Sequence, residues 1–296
     1  MKAAPFEHHE PETVEKAVSL LESLHEPTII AGGQSLVPML RFRLARPDTV
    51  VDINGIDALD YLEEEDGYLK MGALARHADV EDADVIDEDD YGSFADAAPL
   101  IADPQIRNRG TIVGSMAQAD PKGDWGSVLI AHDGEVVARG PDGERVIPAD
   151  ELFLLPYDTS LGENELITEA RVPTPAAHEG SAYHKLKRKT GDYAMVGVAA
   201  RLILDDEGRI EDAGIGMTAV DITNARAAEA EAHLEGERPS ADLFEKAGEL
   251  AAEESNPESD EHGDASYKER MVDVLAQRAL GDAAERAGAV KRRVTQ

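Results

Sequence analysis

Ala31-Gly32-Gly33-Gln34-Ser35-Leu36 stands between two apolar runs, Thr28-Ile29-Ile30 before it and Thr49-Val50-Val51-Asp52-Ile53 after it. A helical stretch from Ser35 to Leu44 separates the glycines from the second run. Strand, glycine turn, helix, strand is the layout of a phosphate cradle. Two adjacent glycines let the backbone approach an anion with no Cβ in the way, and unpaired N–H groups at the start of the following helix point at it. Ser35 suits the N-cap, and Pro38 falls in the first turn, where its missing N–H does no harm. The first run reads as a buried strand, and the whole stretch as one half of a dinucleotide pyrophosphate site.

Working outward, Thr13 to His25 has apolar residues at helical spacing, at Val14, Ala17, Val18, Leu21 and Leu24. After the cradle come a short strand, Leu69 to Ala73, and a helix from His77. Glu81 to Asp90 holds seven acids in ten residues and reads as solvated surface, since it lacks the glycine turn of a calcium loop. Ala95 to Ile101 reads as helix, and Trp125 to Ala131 as a buried helix with Trp125 in the core. Pro141-Asp142-Gly143 marks a hairpin. Leu166 to Val172 alternates as a strand and is stopped by Pro173 and Pro175. Beyond a boundary at about Pro173 to Gly180, an antiparallel meander is expected over Tyr183 to Lys189, Met195 to Leu204 and Ile210 to Val220. Helices are expected over Asn224 to Leu234, Ala241 to Glu254 and Ser266 to Leu280, with an acidic linker at Ser255 to Asp264. The basic cluster Lys291-Arg292-Arg293 reads as a frayed tail.

The 296 residues include 61 acidic and 29 basic ones, a formal net charge of −32. Nucleic acid and anionic membranes would be repelled by such a surface. Only 10 of the basic residues are Lys against 19 Arg. Pervasive carboxylates with scarce Lys point to a protein adapted to high salt, where screening removes the self-repulsion; an ordinary acidic cytosolic protein is the alternative. There is no cysteine, which excludes disulfides, Fe–S ligation and a cysteinyl-linked flavin on this chain. No apolar run approaches a membrane span, and the start of the chain lacks the apolar segment of a leader. A cytoplasmic protein without membrane insertion is therefore expected.

A second glycine-bearing turn, Thr111-Ile112-Val113-Gly114-Ser115, follows Arg107-Asn108-Arg109-Gly110 about 80 residues after the first. Small hydroxyl residues at both turns (Ser35; Thr111 and Ser115) can supplement backbone donors to phosphate. Neither a Gly-x-Gly-x-x-Gly fingerprint nor a Walker Gly-Lys-Ser/Thr occurs, so standard nicotinamide and ATP domains are disfavoured. His8 and His9 read as surface, and the other histidines lack zinc or triad spacing. No catalytic base, nucleophile or metal ligand is expected.

In combination these segments resemble the flavin-binding medium subunit of the molybdenum hydroxylases, of the aerobic carbon monoxide dehydrogenase and xanthine dehydrogenase type. Ala31 to Leu36 is similar to that family's first FAD motif and Thr111 to Ser115 to its second. Ala119-Asp120-Pro121-x-x-Asp124 is similar to the segment after it. Lys185 to Ala194 resembles its C-terminal signature, and Tyr267 through Leu280 its closing helix. The family has Gly where this chain has Val113, and often His where it has Gln34; a Cβ at Val113 crowds the pyrophosphate unless φ there is negative.

The resemblance implies an α+β fold. A PCMH-type FAD-binding domain would occupy 1–175, as a small N-terminal α/β part (1–55) and a larger antiparallel part (56–175) with FAD between them. A C-terminal domain of the CO-dehydrogenase-flavoprotein type, a three-stranded antiparallel sheet with helices, would occupy 180–283, with a tail at 284–296. The implied cofactor residues are Ala31, Gly32, Gly33, Gln34, Ser35, Leu36, Thr111, Val113, Gly114, Ser115, Asp124, Lys185 and Tyr193. Asp124 is either an acidic contact to FAD or the N-cap of the Trp125 helix. Lys185 is a cation near the flavin ring or a solvated strand charge, and Tyr193 a stacking or a core tyrosine.

The implied function is electron transfer. A large Mo-molybdopterin subunit oxidises the substrate and a small subunit with [2Fe-2S] clusters relays electrons to FAD here. A quinone or NAD accepts them, in a dimer of heterotrimers. A self-sufficient FAD oxidoreductase and an assembly subunit that has lost FAD are the competing readings.

Overall fold

Three main sheets succeed one another along the chain in the computed structural model, which describes residues 2–288. The first part runs β1 (Glu7–His9), α1 (Val14–Ser23), β2 (Thr28–Ile30), α2 (Leu36–Phe42) and β3 (Thr49–Asp52). Its strands lie in the order β1-β3-β2, parallel throughout, which is what intervening helices permit and tight turns do not. Thr13 caps α1, its hydroxyl accepting from the Lys16 N–H at 3.2 Å, and Ala17, Val18 and Leu21 face the core. β3 is central and buried. β2 is an edge strand and only half-buried, not the buried strand its composition suggested.

The second part contains β4 (Leu62–Glu65) and β5 (Tyr68–Gly72), then α3 (His77–Asp82), α4 (Gly92–Ala97), α5 (Pro104–Arg107), α6 (Ile112–Gln118) and α7 (Asp124–Ala131). It continues with β6 (Glu135–Gly140), β7 (Gly143–Pro148), α8 (Ala149–Leu152), the small hairpin β8 (Phe153–Leu155) and β9 (Asp158–Thr159), and β10 (Leu166–Pro173). The sheet order is β4-β5-β10-β6-β7, all antiparallel. The turn at Pro141-Asp142 joins β6 to β7 as expected, with Gly143 at φ +119°.

The third part is a meander of β11 (Glu179–Leu186), β12 (Val196–Leu204), β13 (Ile210–Thr218) and β14 (Ala225–Arg226), followed by α9 (Ala228–Leu234), α10 (Ala241–Glu254) and α11 (Ala265–Arg286). The sheet has four strands where three were expected. Ala225 and Arg226 pair with Met217 and Gly216, so the helix expected from Asn224 begins only at Ala228. α11 runs to Arg286, past the expected end at Leu280 and into the stretch expected as tail, because Ala283, Ala284 and Ala287 are buried against the sheet's core. Lys291 to Arg293 lies outside the described residues.

One helix joins the second and third parts. All eight residues of α7 are buried. Its flank lies on β13, where any side chain at Gly214 or Gly216 would overlap the Ala131 and Ser127 carbonyls. The third sheet also satisfies the helix's last turn: Arg226 donates to Ile130 O at 2.7 Å and Arg201 to Ala131 O at 2.9 Å. Cationic donors suit the electronegative end of a helix. No helix among the described residues is long and apolar enough to cross a membrane.

Candidate functional site

At the end of β2 the chain turns through Gly33 in the left-handed region, φ +72°. Gln34 Nε2 donates back to Gly32 O at 2.9 Å and closes the corner. Ser35 occupies the N-cap position of α2, but its hydroxyl does not cap and interacts instead with the phenol of Tyr193 from the third part. The N–H groups of Gln34, Ser35 and Leu36 pair with no acceptor among the described residues.

The second corner is built differently. Thr111 caps α6, its hydroxyl accepting from the Gly114 N–H at 3.0 Å. A Cβ on Gly114 would lie 2.6 Å from that oxygen, which is why glycine stands there. Val113 is helical and its φ is not positive, so the departure from Gly strains nothing. Its side chain is 3% exposed, within the core cluster.

The two corners meet. Gly32 packs so tightly on the second corner that a Cβ would overlap Arg109 O and come within 2.7 Å of Gly110 Cα. A chain of hydrogen bonds staples them. Asn54 Nδ2 donates to Ala31 O at 2.8 Å, Arg76 donates to Asn54 Oδ1 at 2.8 Å, and the same guanidinium donates to Arg109 O at 2.7 Å. Sequence reading missed both Asn54 and Arg76. Neither sits in a glycine motif, and no periodicity marks a residue whose partner is a carbonyl 23 or 33 positions away.

Behind the corners, Trp125 Nε1 donates to His77 Nδ1 at 3.0 Å. An indole N–H only donates, so Nδ1 must be unprotonated and the neutral ring carries its proton on Nε2. Burial first, then Arg107 and Arg76, pull His77 down to about 4. Trp125 is core as expected, yet it also fixes this ring. The third part forms the far wall. Lys185 donates to Asp124 Oδ2 at 2.8 Å and Tyr183 to Asp124 Oδ1 at 2.5 Å. Asp124 and Lys185 are 5% and 1% exposed. Asp124 is therefore not the N-cap, a position held by Gly123, and Lys185 is not a solvated charge. Each neutralises the other, tying β11 to the start of α7. Tyr193 is not in the core; it is 56% exposed at the cleft mouth. Burial of its hydroxyl, then Asp120, Tyr157 and Asp124, push its pKa up to about 12.

All thirteen cofactor residues expected from the sequence line one cleft of about 490 Å³. Its walls are electrostatically unusual for this chain. Residues 27–47, 104–119 and 180–191 carry three, two and four basic residues and no acid. Four acids do line the cleft, Asp120, Asp124, Glu165 and Asp192. Asp124 is paired with Lys185, Glu165 with Arg145 at 2.8 Å, and Asp192 with Arg188 and Lys189 at 3.8 Å each. Open backbone donors, glycine corners and an acid-poor lining fit a diphosphate, and the apolar walls suit flat rings.

Other titratable clusters do not make sites. Ser93 Oγ lies 2.8 Å from His132 Nε2, and His132 Nδ1 lies 3.7 Å from Glu179. The sequence showed no such triad, and this one is sealed in the core with Ser93 and His132 buried. His8 lies between Glu10 and Asp52 at 3.5 and 3.3 Å and reads as ion pairing.

The buried histidines make stability pH-dependent. His77 ordinarily titrates near 6.5 and here near 4, and burial takes His132 to about 3. Below pH 6.5 the unfolded chain takes up a proton that the folded chain refuses, so folding loses free energy as pH falls. For His77 the loss reaches roughly 3 kcal/mol once pH passes 4. Chemical denaturation of wild type and His77→Gln between pH 7 and 4 should show a shallower decline in the variant. Parallel profiles would refute the assignment.

Comparison with known proteins places this cleft in context. The family described as FAD binding domain in molybdopterin dehydrogenase matches residues 4–175, and the CO dehydrogenase flavoprotein C-terminal domain matches 181–283. The carbon monoxide dehydrogenase medium chain of Hydrogenophaga pseudoflava is 39% identical over 94% of this chain and 96% of its own length. The nicotine 6-hydroxylase medium subunit of Paenarthrobacter nicotinovorans is 36% identical over 97% and 100%. The solved Hydrogenophaga pseudoflava carbon monoxide dehydrogenase, in a form lacking the Mo-pyranopterin moiety, superposes with a TM-score of 0.92 at 40% identity, covering 97% of this chain and 99% of that one.

Proposed function

Because the chain belongs to the family of FAD-binding medium subunits of molybdopterin dehydrogenases, we propose that it is the electron-transfer subunit of a three-subunit complex. A small partner carries [2Fe-2S] clusters and a large partner carries Mo-molybdopterin, where the substrate is oxidised. A bound FAD would supply the conversion of single electrons from the clusters into pairs for an external quinone or NAD. Everything else asked of this chain is holding and shielding. Ala31 to Leu36 presents backbone N–H groups to the pyrophosphate, and the second corner faces it with the hydroxyls of Thr111 and Ser115. His77, held neutral by Trp125, keeps a fixed N–H beside the second corner. The Lys185–Asp124 pair fastens the third part against the cleft, and Tyr193 screens its mouth from water. Residues 1–175 and 180–283 are the units of this reading, and the cytoplasm at high salt is its setting, in keeping with the charge of −32.

The observation that carries the proposal is the contact of Gly32 with Arg109 and Gly110, which brings both glycine corners to one cleft. The relatives' names span carbon monoxide and nicotine as substrates, which fits selectivity that resides outside this subunit. The test is made in molar salt. The isolated chain should take up FAD and show the flavin absorption band, yet oxidise no organic substrate by itself. With both partners co-expressed, substrate should bleach that band only when the iron–sulfur subunit is present. A chain that stays colourless after refolding with FAD, or that turns over substrate unaided, would refute the reading.

A further inference from the structure

Asn54 is the one asparagine that glycine follows; Asn108, Asn164, Asn224 and Asn256 precede Arg, Glu, Ala and Pro. Glycine leaves the peptide nitrogen after the asparagine unshielded and free to turn, so Asn-Gly is the pair in which that nitrogen most readily attacks the side-chain carboxamide. Nothing in the fold demands glycine at this point. Gly55 is exposed, its φ is not positive, and an added Cβ would meet only the Pro11 carbonyl oxygen, at an ordinary 3.6 Å. Asn54, by contrast, is fully employed. Its Nδ2 donates to Ala31 O at 2.8 Å and to Asp52 Oδ1 at 2.6 Å, and its Oδ1 accepts from Arg76 at 2.8 Å. A chemically labile pair therefore sits at the centre of the staple between the two glycine corners.

We infer that Asn54-Gly55 is a deamidation site, shielded while the staple is closed, and that its use disables the cofactor cleft; this rests on the reading of that cleft as an FAD site. The Gly55 nitrogen attacks Asn54 Cγ. A Cγ–N bond forms, the Cγ–Nδ2 bond breaks, and ammonia leaves with the proton of the Gly55 N–H. Water then opens the succinimide. Cleavage at Cγ gives aspartate, and cleavage at the main-chain carbonyl gives isoaspartate.

The closed fold blocks the attack. Asp52 caps a 3-10 turn over Ile53–Gly55, its Oδ1 accepting from the Asn54 N–H at 3.0 Å, and the Ile56 N–H closes the turn on Ile53 O at 3.1 Å. Side chains on a helical turn lean toward its N-terminus, away from the following nitrogen, and three hydrogen bonds hold the carboxamide there. Reaction therefore proceeds from a locally opened chain, and a cofactor held between both corners suppresses that opening. The product cannot remake the staple. A carboxylate has no N–H for Ala31 O, and it sets an anion against Asp52 Oδ1 where the amide had donated. Isoaspartate also adds a methylene to the main chain inside the turn. Either way Ala31, next to Gly32, loses its tie through Asn54 to Arg76 and the second corner.

The test ages the full chain in molar salt and mildly alkaline buffer, without FAD, with FAD, and unfolded in guanidinium chloride. Gly55→Ala is aged beside it without FAD. Peptide mass mapping and isoaspartyl methylation follow the Asn54 peptide, and titration of each aged sample gives its capacity for FAD. With FAD at about ten times its Kd, deamidation should run about tenfold slower than without it, and the unfolded chain should react fastest. In the FAD-free sample, capacity for FAD should fall in step with the modified fraction. Gly55→Ala should begin with wild-type affinity and keep it while wild type decays. Four results would each overturn the inference: no modification of the folded FAD-free chain while the unfolded one reacts, equal rates with and without FAD, undiminished FAD binding by the modified chain, or a decay of Gly55→Ala that matches wild type. In all four, fresh wild type still binds FAD and the proposed function stands. Fresh wild type that takes up no FAD would instead overturn the proposed function and this inference with it.

Discussion

Gly32→Ala will purify almost without flavin. Its new Cβ would overlap Arg109 O and lie 2.7 Å from Gly110 Cα and 2.9 Å from Arg109 C, all of them backbone atoms. A backbone wall cannot rotate away as a side chain can, so the corners must part, and the Asn54–Arg76 staple parts with them. The donors that face the diphosphate then no longer converge. FAD affinity should fall at least 100-fold, about 3 kcal/mol, in a titration of apoprotein followed by flavin fluorescence. Gly33→Ala is the informative contrast. Its obstacle is the φ of +72°, and the nearest atoms are the flexible side chains of Val37 and Ile30 at 3.1 and 3.2 Å. Left-handed strain costs about 1 to 2 kcal/mol, so its loss should be smaller, near tenfold. Equal affinity in Gly32→Ala and wild type would refute the convergence of the two corners on the cofactor.

The largest effect on stability is expected at Gly214 and Gly216. Either alanine would overlap a carbonyl of α7, that of Ala131 or of Ser127, and α7 is buried along its whole length. The helix would have to lift from β13, opening the core and withdrawing the carbonyls that Arg201 and Arg226 satisfy. Each substitution should cost about 3 kcal/mol or more and lower the thermal midpoint by roughly 10 °C. Because α7 begins with Asp124 and Trp125, flavin content should drop as well. Gly281→Ala, in α11 with nothing within 4 Å of the added carbon, should move the other way and gain about 1 kcal/mol. A calorimetric midpoint for Gly216→Ala within 2 °C of wild type, on the same scale, would refute the packing argument.

Legibility differed by the range of the interaction. α10 was read residue for residue, since one apolar face over fourteen residues and the Ser240 cap are local signals. The hairpin at Pro141-Asp142 and the meander after Gly180 were equally local. β14 was not legible. Two residues, Ala225 and Arg226, are a strand only because β13 offers them an edge. The same limit hid the settings of three side chains. Asp124 was offered as a cap or a cofactor contact; it is not the cap, and Tyr183 and Lys185, about 60 residues on, bond its two oxygens. Tyr193 was offered as a core or a stacking ring; it is not in the core but stands half in solvent at the cleft mouth, beside Ser35. His77 drew no notice because its partner, Trp125, lies 48 residues away.

By itself, the sequence determined which peptides can turn sharply, which faces seek burial and where carboxylates are left out. That was enough to mark both glycine corners and the α+β class, because steric freedom, periodicity and charge are carried by neighbours in the chain; the flavin-protein family came from the resemblance of the motifs, and the comparisons bear it out. Only the tertiary structure decided that the corners touch, that Asn54 and Arg76 hold them together and that Asp124 and Lys185 neutralise each other. Those facts depend on distances between segments far apart in sequence, and such distances are set by the packing of the whole core.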